Sequence, residues 1–120
     1  TLRAARQAFP QAKLHTIFQP HLFSRTRDLA AEFGRALLGA DFAMVTEIYA
    51  SRESALAGVS GDLVVEAAKA SGHRNVEYCS DWNRVRELVE ERVEVGDLVL
   101  TLGAGDIYLL AQELVEEGES

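Results

Sequence analysis

Short apolar runs alternate with amphipathic stretches four times along this chain, and that rhythm restricts its fold more than any other feature. Lys13 to Phe18, Phe42 to Ile48, Asn75 to Cys79 and Leu98 to Leu102 are brief and rich in β-formers. Between and after them, apolar residues recur at helical spacing. Leu29, Ala30, Phe33, Ala36 and Leu37 form one such face, and Leu63, Val64, Ala67 and Ala68 the next. Val85, Leu88 and Val89 form a third, and Ile107, Leu110, Ala111 and Leu114 a fourth. A further helix-prone segment, Leu2 to Ala8, precedes Pro10. Such alternation predicts an α/β domain with a mainly parallel sheet and helices on both faces.

Local signals set the expected boundaries. Thr26 is the expected N-cap of a helix from Arg27 to Leu38, with Gly39 as its stop. Ser60 and Asp81 are expected to cap the next two helices, and Gly72 to end the first of these. Tyr49 to Val59 reads as a long polar connection. His15 and Cys79 are expected to pack inside strands, His73 to be exposed after a helix stop, and Trp82 to anchor a helix start. The chain of 120 residues fits one domain.

In parallel α/β sheets, ligands sit beyond the carboxyl ends of the strands. That rule selects Gln19–Arg27, Tyr49–Ser60 and Gly103–Asp106. Gly103-Ala-Gly echoes a dinucleotide fingerprint, but Tyr108 stands where the third glycine is needed, so tight turning explains both glycines. Asp106 is an expected helix cap at the same edge, where a carboxylate also suits a substrate ammonium. No phosphate-cradling Gly-x-x-x-x-Gly-Lys-[Ser/Thr] and no nucleophile elbow occur, and His15, His21 and His73 lack metal-ligand spacing. A complete enzyme is therefore not expected in this chain, and no cofactor or metal site is assigned to it.

The net charge of −7 speaks against a nucleic-acid surface. No run of apolar residues is long enough for a membrane span, no leader is recognisable, and the single cysteine excludes an internal disulfide. A cytoplasmic location is expected. The charge is uneven, however. Arg3, Arg6, Lys13, Arg25 and Arg27 occupy the first quarter, whereas Glu113, Glu116, Glu117 and Glu119 crowd the end as a solvated helix terminus.

The exceptional stretch is Phe18-Gln-Pro-His-Leu-Phe-Ser-Arg-Thr-Arg-Asp28. It is expected to place His21, Ser24, Arg25, Thr26 and Arg27 in a strand-to-helix loop. Free amides at the following helix start would favour an anion there. Arginine donates in a rigid fork suited to carboxylate or phosphate oxygens. The alternative is that Arg25 and Arg27 pair with surface carboxylates.

At this segment the chain resembles the Mur ligases, whose signature there is Phe-Gln-Pro-His-Arg-Tyr-Thr-Arg-Thr. Thr46-Glu-Ile-Tyr-Ala-Ser-Arg-Glu53 is similar to the family's Thr-Asp-Ile-Tyr-x-x-x-Glu, Gly58-Val-Ser60 to its Gly-Val-Ser, and Leu100-Thr-Leu-Gly-Ala-Gly-Asp-Ile107 to its terminal strand and turn. The resemblance spans nearly the whole chain and is strongest to the branch that joins L-alanine to UDP-N-acetylmuramate. It implies a Rossmann-like C-terminal domain, residues 1–120, that closes over a central ATPase domain and helps bind the incoming amino acid. It implies ATP and Mg2+ for the full-length enzyme, held mainly by the central domain, and no activity in the isolated domain. By the same resemblance His21 and Arg25 face the reaction centre, with Arg25 the catalytic candidate; Ser24, Thr26, Tyr49 and Asp106, at the same strand-end edge, are expected beside them on the substrate side. Leu22 departs from the signature where many members carry arginine, and Phe23 lacks the usual tyrosine hydroxyl. The family's Asp-Asp-Tyr-x-His-His-Pro segment would precede Thr1. Two readings stay open beside this one: a relative that attaches a peptide to the sugar, and a stand-alone anion-binding module.

Overall fold

A computed structural model describes residues 2–50 and 52–103. Its elements are α1 (Leu2–Ala8), β1 (Leu14–Phe18), α2 (Phe23–Ala36), a 3-10 turn (Leu37–Gly39), β2 (Phe42–Val45), α3 (Asp62–Ala70), β3 (Val76–Tyr78), α4 (Trp82–Arg92) and β4 (Leu98–Leu102). The four strands form one parallel sheet in the order β3-β2-β1-β4. The α/β architecture expected from the alternation is present, Rossmann-like, with helices on both faces. The last expected helix, Asp106 and the acidic tail lie outside the described residues.

Side chains of one strand leave alternately to opposite faces, so each inner strand feeds two cores. Ile17 and Met44 pack under α4 against Val85, Leu88 and Val89, with Trp82 and Val99 at the margin. Ala43, Val45 and Val76 pack on the other face against Leu37, Val64, Val65 and Ala68, with Phe18 and Phe33 beside them. Leu14, Val45, Val64 and Val85 are fully buried, each contributing about 1.5–3 kcal/mol of hydrophobic stabilisation. Among the described residues no helix is long and apolar enough to cross a membrane.

Several boundaries differ from expectation for identifiable reasons. α2 begins at Phe23, so Ser24, Arg25, Thr26 and Arg27 stand on its first turns and not in a loop. Thr26 is not the N-cap; it is buried inside the helix, and its hydroxyl donates to the Leu22 carbonyl at 2.7 Å. β2 stops at Val45, short of Ile48. His73 is buried, not exposed: the Asn75 amide donates to its Nδ1 at 3.1 Å. Cys79 is half-buried and lies just past β3, not inside it. Asp81 does cap α4, accepting from the Asn83 amide at 2.9 Å; the N-cap of α3 is Gly61 and not Ser60, whose hydroxyl accepts from the Asp62 amide one residue further out.

Polar groups tie the amino edge of the sheet. His15 is buried, stacks on Phe42 at 4.8 Å, and its Nε2–H donates to Asp97 at 2.8 Å. Asp41 accepts from the Leu14 amide at 2.7 Å and from Arg6 at 2.9 Å. Burial pushes the Asp41 carboxyl up, but the Leu14 amide, the Arg6 guanidinium and the nearby His15 together hold it below its ordinary value. A carboxyl depressed in the fold stabilises above its unfolded pKa, and that contribution is lost as pH falls through the folded value. Asp41→Asn is therefore expected to cost about 1 kcal/mol at neutral pH, a figure kept small because both partners are some 40% exposed. The difference from the parent chain should shrink in urea titrations run below about pH 4. A difference independent of pH would refute the ionic origin.

Candidate functional site

The strand order reverses between β1 and β4, and the crevice beyond their carboxyl ends is where this topology places ligands. β1 leaves the sheet there through Gln19, whose amide donates to the Leu102 carbonyl at 2.9 Å. Gly103 follows β4 with φ +135, and a Cβ on it would stand 2.5 Å from the Gln19 carbonyl. Only glycine lets the two chain exits run this close. The Gln19 side chain is buried beneath this junction, and its Oε1 has no hydrogen-bond partner among the described residues.

Beyond the sheet, the exits of β1 and β2 stay zipped together. The Tyr49 amide donates to the Pro20 carbonyl and the Leu22 amide to the Tyr49 carbonyl, both at 2.8 Å. This parallel bridge brings His21 onto Tyr49, with ring centroids 5.6 Å apart and planes 20° from parallel. Tyr49 remains 39% exposed, so the pair forms a flat aromatic wall facing outward.

Leu22 turns the chain into α2 with φ 68, the one positive φ at a non-glycine among the described residues. Such backbone costs of order 1–3 kcal/mol and persists only where its surroundings over-determine it. Here they do: its amide is held by Tyr49, and its carbonyl accepts from both the amide and the hydroxyl of Thr26. Leucine at this position offers α2 no side-chain cap.

The cap comes from 29 residues away. The Glu53 carboxylate accepts from the Ser24 amide at 2.9 Å and from the Ser24 hydroxyl at 2.5 Å. The Ser24 hydroxyl, the Ser24 amide and the Phe23 amide hold the Glu53 carboxyl below its ordinary value, with the Arg27 charge adding to the effect. The expectation of free amides awaiting a ligand anion is thus corrected: a carboxylate of the chain itself fills that seat. It also offsets the charge of the two arginines near a positive helix end.

The arginines divide. Arg27 lies against Asp28 at 3.0 Å, an exposed pair that raises its already high pKa. Arg25 is exposed, and among the described residues no carboxylate pairs with it. His21, Tyr49, Ser24 and Arg25 therefore gather at one edge of the sheet, whereas the Thr26 side chain is sealed in the helix. Glu53 and Gln19 received no role from sequence reasoning. Glu53 ends the Thr46–Glu53 segment singled out by resemblance, and Gln19 stands in the Phe18–Asp28 stretch, so a signal was available for both; what it did not give was the burial of Gln19 or the bond of Glu53. Among the described residues no cluster of three or more His, Cys, Asp or Glu is arranged to hold a metal ion. With Glu53 on the helix start, these residues do not fit a Mg2+ ion or a nucleotide phosphate seated at α2.

A family model described as the glutamate ligase domain of Mur ligases matches residues 1–105. The chain belongs to the Mur ligase family. It is 48% identical over 116 residues to the UDP-N-acetylmuramate–L-alanine ligase of Cutibacterium acnes, covering 96% of this chain and 24% of that one. The enzyme of the same name from Salinibacter ruber is 40% identical over 97% of the chain and 24% of its own length. This Mur ligase domain thus spans about a quarter of the length of the curated relatives it matches. A crystal structure of a murein peptide ligase from Psychrobacter arcticus superposes with a TM-score of 0.74 at 14% identity, over 96% of this chain and 23% of that one. At that identity the likeness is one of fold.

Proposed function

We propose that this chain is the C-terminal domain of a cytoplasmic UDP-N-acetylmuramate–L-alanine ligase of peptidoglycan precursor synthesis. The observation that carries this reading is 48% identity over nearly the whole chain to an enzyme of that name. In the full-length protein the muramate carboxyl is activated at the expense of ATP with Mg2+. The amine of L-alanine then forms the amide bond, and ADP and phosphate leave. By this reading triphosphate and metal are held mainly by the central domain.

The residues of this domain supply the facing wall. Arg25 meets an anionic oxygen of the substrates, carboxylate or phosphoryl, with its guanidinium fork. His21 and Tyr49 form the flat side of the amino-acid pocket, and Ser24 anchors the helix turn from which Arg25 extends. Asp106 is assigned to the alanine ammonium. Thr26, sealed in the helix, keeps a structural part only. L-Alanine, UDP-N-acetylmuramate and the central domain are the partners of this surface.

A second reading, a ligase that adds a peptide to the sugar, draws on Leu22 in place of the family arginine. Full-length enzyme assayed with UDP-N-acetylmuramate and ATP is expected to turn over L-alanine at least about a hundredfold better than a tripeptide. A preference for the tripeptide would replace the first reading with the second. The isolated chain is expected to show neither ligase nor ATPase turnover.

A further inference from the structure

We propose that Glu53 is a positioning residue for the ligation reaction: it caps α2 across the two loops and thereby aims Arg25 at the substrates. This rests on the role given to Arg25 under the proposed function.

Three observations support it. First, α2 has no cap of its own. Leu22 supplies no side-chain acceptor, and the helix start would otherwise leave its amides unsatisfied. Second, the Glu53 carboxylate meets both donors of Ser24, the residue immediately before Arg25, in two charge-assisted hydrogen bonds. Third, Arg25 has no ion-pair partner among the described residues. The position from which it extends is therefore set by the backbone, and that backbone is held at Ser24.

The geometry makes the arrangement a unit. Glu53 is itself fixed by a turn in which its amide donates to Ala50 at 2.9 Å. Ala50 adjoins Tyr49, whose backbone is bonded to Pro20 and Leu22 and whose ring stacks on His21. One loop thus carries Tyr49 against His21 and Glu53 against Ser24, and both ends of the Pro20–Ser24 segment are held from it. The negative charge of Glu53 also suits the positive end of α2.

The test is a double-mutant cycle in the full-length ligase with L-alanine as varied substrate. Glu53→Ala is expected to lower kcat/KM about tenfold, while Arg25→Ala lowers it further. If Glu53 works through Arg25, the double variant is no worse than Arg25→Ala within about twofold. Losses that multiply would reduce Glu53 to a merely structural residue and overturn the proposal. An Arg25→Ala enzyme that is impaired beside a fully active Glu53→Ala enzyme overturns this proposal and leaves the Arg25 reading standing. Unchanged kinetics in Arg25→Ala overturn that reading, and this one with it. Should Glu53→Ala fail to fold by circular dichroism, Ser24→Ala removes one of the two bonds and carries the same cycle, with an expected loss of about threefold.

Discussion

Arg25→Ala in the full-length ligase is expected to lower kcat/KM by about a hundredfold, with the loss concentrated at the alanine-dependent step. The magnitude is that of removing one preorganised donor from developing negative charge, about 2.7–4 kcal/mol. Two features of the site make the expectation specific. The Arg25 side chain is exposed on the first turn of α2 and has no carboxylate partner among the described residues, so its removal leaves no buried group uncompensated. Thermal stability of the chain should therefore stay within about 0.5 kcal/mol, the usual range for an exposed substitution. Arg25→Lys should recover little activity, because a point charge does not reproduce the planar fork. Arg27→Ala is the matched control. Its guanidinium already faces Asp28, and its loss should change kcat/KM by less than about threefold. Full activity of Arg25→Ala with both UDP-N-acetylmuramate and L-alanine would remove Arg25 from the reaction.

The contrast between these arginines was partly legible in the chain itself. Their position after a β-former run, in a domain that reads as parallel α/β, already put them at the ligand edge. β4 falls on Leu98–Leu102 as read, and β1 within one residue, because both are short runs rich in β-formers between helical stretches. Helix boundaries set by short-range caps were equally readable, as Asp81 demonstrates. The start of α2 was not. Its capping group is Glu53, and a search for Ser, Thr, Asp or Asn beside the helix stops at Thr26, four residues late. Long-range polar pairing leaves no periodic mark. The same limit hid the burial of His73, which depends on a local bond to Asn75 and on packing, and the strand order, which depends on how crossovers pass over the sheet. The burial of Gln19 was invisible for a related reason: a glutamine at a strand end looks solvated until Gly103 closes over it.

Gly34→Ala is expected to destabilise the domain by about 2 kcal/mol, against the sign that helix propensity alone gives. In an exposed helix interior, replacing glycine by alanine gains up to about 1 kcal/mol. Gly34 lies in the last turn of α2, however, buried where that helix crosses α3. A Cβ there would stand 2.7 Å from the Ala68 amide nitrogen and 2.8 Å from both the Ala67 carbonyl carbon and its Cβ. Two of those three atoms are backbone, so no side-chain rotation relieves the clash, and the helices must separate. Overpacking of this kind costs about 1–3 kcal/mol, occasionally more, which outweighs the propensity gain. For a chain of this size a loss of 2 kcal/mol lowers Tm by roughly 10 °C. The separation has a functional consequence as well. α2 carries Arg25 at its start, and α3 follows the loop that carries Glu53, so moving one helix from the other strains the Ser24–Glu53 bonds. Gly34→Ala should therefore lower kcat/KM for L-alanine even at temperatures where the enzyme is fully folded. A rise in Tm would show that α2 and α3 can part freely, and would break the link drawn here between their packing and the aim of Arg25.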